Sequence, residues 1–171
     1  MKITPLINKV NSEVLANLKE FEFGYITINV REDYLNVGDL FELEEEYFKR
    51  FVVIGSNDSG DPVCINSETQ FMVYLNHDNY FKEELINTDL SKFIEMSRIH
   101  SEFYSSKNKM FEDSFYENDF TDESFKKMKI ALLNVECLSS HWKSIIEYDL
   151  LEREEERQSR QKKSFWKRVF K

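Results

Sequence analysis

Turn-forming residues are scarce in this sequence, which has four glycines and two prolines in 171 residues. Two of those glycines, Gly55 and Gly60, and one proline, Pro62, fall within "VVIGSNDSGDPVCIN" at 52–66. A phosphate-cradling loop needs Gly-Lys-Ser/Thr after its glycines and a helix N-terminus aimed at the anion; a dinucleotide fingerprint needs three glycines ahead of a helix. Neither pattern is present. Four polar residues separate the two glycines and a strand-like run follows, so the segment reads as a hairpin loop. Its Asp58 and Asp61 would push a phosphate away. It also lacks the terminal glutamate and flanking helices of a calcium-binding EF-hand.

Cysteine and histidine are equally sparse. Cys64 and Cys137 have no second cysteine near them, which excludes a CxxC redox or zinc motif, and both read as reduced, packed small hydrophobes. His77, His100 and His141 are too dispersed for a metal site, no GxSxG elbow is present, and neither a metal nor a cofactor is expected. His77 and Asp78 in "NHDN" have the types of a base and its orienting acid, yet nothing places a nucleophile beside them, so they read as a polar turn ending a strand. His100 reads as a core-boundary residue of its helix, and His141 as an imidazole meeting the local backbone near a helix start. An enzyme is not expected. A small hydrolase is the least favoured class, and turnover abolished by His77→Ala would revive it.

Long apolar runs are missing too. No stretch approaches the roughly 18 residues a membrane span requires, and "MKITPLINKVNSEVLANLKE" has no apolar h-region or small-residue cleavage site, so a cytoplasmic location is expected.

What the chain has in quantity is aromatic side chains and acid. Fifteen phenylalanines and eight tyrosines supply material for a core, and one domain of this length buries roughly 70% of its unfolded surface. The 23 basic residues face 32 acidic ones, a net charge of −9. Residues 157–171 hold seven of the basic residues and no acid; without them 16 basic residues face 32 acidic ones, a balance of −16. So acidic a body repels nucleic acid and speeds encounter with a basic protein, beside its simpler effect on solubility.

Along the chain, Thr4 and Pro5 have the form of an N-cap and first helical position, followed by Leu6, Val10, Val14 and Leu18 at helical spacing. "FEFGYITINV" alternates and then changes phase, which predicts one strand bent or bulged near Gly24. "LFELEEEYFKR" suits an edge strand or a short helix. "RFVVIG", "VCIN" and "FMVYL" read as three consecutive antiparallel strands, the last two covered on both faces. Asn87 or Thr88 can cap a broad-faced helix from Leu90 to Phe103. Residues 105–120 read as a polar connection anchored by Phe111, Phe115, Tyr116 and Phe120. Thr121 can cap a helix with Phe125, Met128, Leu132 and Val135, and a last helix carries Trp142, Ile145, Ile146 and Leu150. Strands first and helices second predict an α+β domain, an antiparallel sheet of five to six strands packed against helices.

The order of these elements resembles the SUKH superfamily, the bacterial immunity proteins related to Syd and to a yeast cell-wall regulator. The resemblance rests on "YFKRFVVIGSNDSGDPVCINSETQFMVYLNHDNYF" and "INTDLSKFIEMSRIHSEFY", with Ile54, Gly55, Gly60, Asp61, Pro62, His77, Asp78, Asn87, Leu90 and Phe93 in the familiar order. "HWKSIIE" looks like the tryptophan-bearing final helix of such proteins, and the likeness covers about residues 35 to 150. It implies a non-enzymatic cytoplasmic protein that binds and neutralises a polymorphic toxin, often a nuclease or nucleic acid deaminase. An inhibitor of a cationic toxin needs an anionic face, and Glu44, Glu45, Glu46, Asp58, Asp61 and Asp78 are the candidates.

Residues 1–156 are thus expected to form the SUKH-like domain and residues 157–171 a basic amphipathic tail. In the tail Phe165, Trp166, Val169 and Phe170 share a helical face opposite Lys163, Lys167 and Lys171. It is open to docking on its own domain or on a second copy of the chain, to lying on an anionic membrane as part of an adaptor, or to disorder.

Overall fold

The computed structural model describes residues 7–18, 20–29, 35–113 and 122–169. Six strands form one sheet in sequence order: β1 (Glu20–Phe23), β2 (Ile26–Asn29), β3 (Phe51–Asn57), β4 (Pro62–Asn66), β5 (Met72–Asn76) and β6 (Lys82–Asn87). Every neighbouring pair is antiparallel. The helices are α1 (Lys9–Asn17), α2 (Val37–Leu40), α3 (Glu46–Lys49), α4 (Leu90–Asp113), α5 (Asp122–Val135) and α6 (Ser140–Val169). The fold is α+β.

Period-two alternation decides which side chain meets which layer. Val52, Ile54, Val63, Ile65, Met72 and Ile86 face a core completed by Leu15 of α1, Leu90, Phe93 and Met96 of α4, Phe125, Met128 and Leu132 of α5, and Trp142 and Ile146 of α6. Their neighbours Phe51, Cys64, Val73 and Leu75 face the other way, under Val37, Leu43 and Phe48 of the α2–α3 segment. Strand β4 is buried along its whole length, as its two-sided apolar sequence requires.

Several local expectations are corrected. "FEFGYITINV" is two strands joined at Gly24 and Tyr25, with Phe23 opposite Ile26 and Gly24 at φ 57. The phase change is this turn, and Phe21, Phe23, Ile26 and Ile28 all reach one core. "LFELEEEYFKR" takes the short-helix alternative rather than the edge strand, forming parts of the single-turn helices α2 and α3. Helix α1 starts later than expected, with Asn8 as its cap; Thr4, Pro5 and Leu6 lie outside the described residues. Its inward face is Asn11 and Leu15, with Val14 and Leu18 packed against the core as expected, while Val10 is exposed. Asp89, rather than Asn87 or Thr88, caps α4 by accepting from the Ser91 amide at 2.7 Å. Helix α4 runs on to Asp113 because nothing from Ser105 onward breaks it; Phe115, Tyr116, Phe120 and Thr121 lie outside the described residues. On α6 the inward position is Asp149, while Leu150 is exposed. Cys64 is buried as expected and Cys137 is exposed. The α6 backbone is unbroken across residues 156 and 157.

Gly55 has a steric duty. It pairs with Ile28 and Val63 beside the bulge between Val53 and Gly55, and a Cβ there would lie 2.1 Å from the Thr27 carbonyl oxygen. Gly55→Ala must therefore separate β2 from β3. It is expected to cost about 2 kcal/mol or more in urea unfolding, the upper range for overpacking, and an unchanged midpoint would contradict that packing.

Candidate functional site

Three turns meet at one end of the sheet: Gly24–Tyr25, residues 58–61, and residues 77–81. Their meeting follows from the meander, because β1→β2, β3→β4 and β5→β6 all reverse at that end. Asp61 fastens the last two together. Its carboxylate accepts from Asn57 Nδ2 (2.8 Å), from the His77 amide (2.9 Å) and from His77 Nδ1 (2.6 Å). Burial pushes the Asp61 carboxyl up, yet the hydrogen bonds from Asn57 and His77 outweigh it and hold the group below its ordinary value. The Asp58 amide donates to the Tyr25 carbonyl at 2.9 Å, which attaches the first turn.

This geometry sorts the acidic candidates. Asp61 is 5% exposed and acts as a clasp, so it cannot be presented to a partner. Asp58 and Asp78 are exposed beside it, Asp78 lying 3.4 Å from His77 Nε2. Glu44, Glu45 and Glu46 are exposed at the α2–α3 junction, where Lys49 pairs with Glu46. Glu44, Glu45 and Asp58 have no ion-pair partner among the described residues. Glu68 and Glu83, by contrast, are spent on Arg50, whose guanidinium also lies 4.0 Å from the centre of the Tyr47 ring.

The segments that carry the two acidic groups are joined by aromatic residues that the sequence reading missed. Phe81 meets Phe41 at 5.0 Å and Phe48 at 5.6 Å between ring centroids, which brings the α2–α3 segment up to the β5–β6 turn. Tyr80 stands out 94% exposed. Tyr80 and Phe81 are consecutive non-glycine residues at φ 53 and 55, and Glu42 beside Phe41 is at φ 56. Each left-handed residue costs about 1 kcal/mol, so the surrounding contacts must hold the turn in place. The available signal was "DNYF", two aromatic residues where a polar turn should end.

The remaining histidines are structural or line a groove. His141 is buried, and the Tyr25 hydroxyl lies 2.7 Å from its Nδ1, so the expected contact with local backbone is replaced by one across the fold. Burial lowers the His141 pKa to about 4, while burial and then Glu84 raise that of Tyr25. Neutral His141 therefore accepts from the tyrosine. Because the folded pKa lies below the ordinary 6.5, the unfolded chain binds the proton first as pH falls, and stability is lost between those values. Unfolding from about pH 7 down to about pH 4.5 should show a loss of about 2 kcal/mol that His141→Gln removes. A pH-independent midpoint in this window would contradict it.

His100, on α4, pairs with Asp149 on α6 through Nε2 at 2.8 Å. Ser101 and Ser144 line the same groove, but neither hydrogen-bonds to His100 among the described residues, and Ser144 Oγ donates to the Ser140 carbonyl. Among the described residues no cluster of three or more His, Cys, Asp or Glu is arranged to hold a metal ion, and no helix is long and apolar enough to cross a membrane. The tail's Phe165, Trp166, Lys167 and Val169 lie on the α6 backbone without described side chains, and Phe170 lies outside the described residues. The chain matches no family model, and no curated protein or solved structure shows significant similarity to it.

Proposed function

We propose that this protein is a non-enzymatic immunity protein that binds a cognate bacterial toxin, a nuclease or nucleic acid deaminase, and neutralises it by covering its basic active face. The observation that carries the reading is Tyr80: a fully presented aromatic ring on a strained, clamped turn that also carries Asp78, with Asp58 on the neighbouring turn that Asp61 joins to it and Glu44 and Glu45 on the segment of Phe41. Exposed aromatics that lose little conformational entropy on binding make interface anchors, and surrounding acids steer a cationic partner without supplying most of the affinity. The resemblance to SUKH proteins in "VVIGSNDSGDPVCIN" and "INTDLSKF" supplies the toxin class. The neighbouring reading frame is expected to encode a large secreted protein ending in a toxin module that co-purifies one-to-one with this chain. Asp58→Asn with Asp78→Asn should slow association about tenfold at low salt and leave dissociation nearly unchanged. An unchanged on-rate would sink the steering role.

The alternative reading is an adaptor held on the inner membrane face by its tail. It is favoured by one observation: α6 is helical as far as Val169, which gives the spacing of Phe165, Trp166 and Val169 its helical meaning. In that case anionic liposomes sediment the full chain, and a chain ending at residue 156 stays in solution. Failure of the full chain to sediment would remove this reading.

A further inference from the structure

Behind the Gly24–Tyr25 turn, a groove of about 790 Å³ opens between α4 and α6. Its walls are largely aromatic and aliphatic: Phe23, Tyr104, Ile145 and Tyr148. Phe23 meets the edge of the His100 ring at 5.2 Å, and Tyr104 lies against the same imidazole at 4.8 Å, so the floor is packed rather than loose. The volume falls within the range that encloses small organic ligands.

Among the described residues, two carboxyl groups and one imidazole line this groove. Glu22 is exposed, Asp149 is 8% exposed, and among the described residues no lysine or arginine lines the groove. A carboxylate accepts only, so His100 Nε2 donates to Asp149 Oδ2 at 2.8 Å; Oδ1 makes no hydrogen bond among the described residues. A partly buried carboxylate with a free oxygen, set among tyrosine and phenylalanine rings, favours a cation whose body is apolar. The rings attract its charge, their faces shed water onto its hydrocarbon, and the two carboxylates exclude an anion of the same shape.

We propose that this groove is a binding site for a small aralkylammonium-type organic cation, its ammonium group at Asp149 and Glu22 and its apolar body against Phe23, Tyr104 and Tyr148. The site is separate from the Tyr80 surface and does not depend on the toxin reading.

The test is a titration of the full, isotopically labelled chain with 4-phenylbutylammonium, 4-phenylbutanol and 4-phenylbutyrate, followed by amide chemical shifts. The cation should give saturable shifts at Gly24, Ser101 and Ser144, bind about tenfold tighter than the alcohol, and leave the carboxylate without saturable binding. Glu22→Gln, at an exposed position that folding does not need, should weaken the cation about threefold. Ser144→Phe should fill the groove and abolish the shifts while the rest of the amide spectrum stays folded. The proposal is overturned if the cation does not saturate, if 4-phenylbutyrate binds equally, if the shifts map elsewhere, or if Ser144→Phe leaves them intact. Ligand-free shifts of the groove amides that vary with protein concentration would instead mean that a second copy fills it, which also overturns the proposal.

Discussion

Asn87→Ala is expected to lower the unfolding free energy by about 3 kcal/mol, a large share of the 5–15 kcal/mol typical of a domain. Asn87, 1% exposed at the end of β6, joins three helices by one amide group. Its Oδ1 accepts from Trp142 Nε1 on α6 at 2.8 Å, and its Nδ2 donates to Glu136 Oε2, just beyond α5, at 2.7 Å and approaches Met96 Sδ of α4 at 3.1 Å. Removing the amide leaves a fully buried indole N–H unpaired, costing about 1–3 kcal/mol, and takes one donor from a carboxylate that is only 10% exposed. Thr88 and Lys92 still hold Glu136, which limits the loss. Asn87→Asp keeps the acceptor for Trp142 but sets a second carboxylate against Glu136, so it should be no better than alanine. Urea unfolding followed by far-ultraviolet circular dichroism measures both, and a loss below about 1 kcal/mol for Asn87→Ala would contradict the role given to this amide.

Tyr80→Ala is expected to weaken the toxin complex by about 2 kcal/mol or more, roughly thirtyfold in Kd, without lowering the stability of the free protein. The ring is almost entirely exposed, so folding gains little from it, and the residue sits at φ 53. Tyr80→Gly separates the two contributions. It removes the same ring while relieving the left-handed backbone, so binding should fall as far as with alanine while stability rises by up to about 1 kcal/mol. Should both variants bind as tightly as the parent, the anchor lies elsewhere on the surface.

Much of the scaffold was legible because burial imposes period. Short apolar, β-branched runs separated by turn residues marked "RFVVIG", "VCIN" and "FMVYL" as three neighbouring strands, and the helical spacing of Phe125, Met128 and Leu132 traced the inner face of α5. The boundaries that failed were those where a local side-chain signal had more than one use. Asn87 and Thr88 have the chemistry of helix caps, but tertiary structure uses them on Glu136 and leaves the cap to Asp89. Gly24 marks a bend in either reading, and only pairing across the turn distinguishes a bulge from a hairpin.

The site was less legible than the fold. Acidic side chains look alike in sequence, yet Asp58 and Asp61, three residues apart, have opposite fates: one exposed, one locked under His77. Composition supplied the surplus of negative charge but could not say that Arg50 uses up Glu68 and Glu83. The Phe41–Phe81 contact spans forty residues and depends on the β5–β6 turn meeting the α2–α3 segment, which no local pattern encodes. The groove beside His100 escaped for the same reason, because Glu22 and Asp149 come to line one groove only once β1 lies against α6.

The proposed role is capture of a basic protein by an acidic, aromatic sheet end. Its most direct test is the association rate constant of this chain with the toxin domain proposed for the neighbouring reading frame, measured across a range of ionic strength. The rate is expected to fall about tenfold or more from low to high salt while dissociation changes little, with Asp58→Asn/Asp78→Asn flattening the dependence. A rate indifferent to salt, or one that the paired substitution leaves as steep as before, would contradict it.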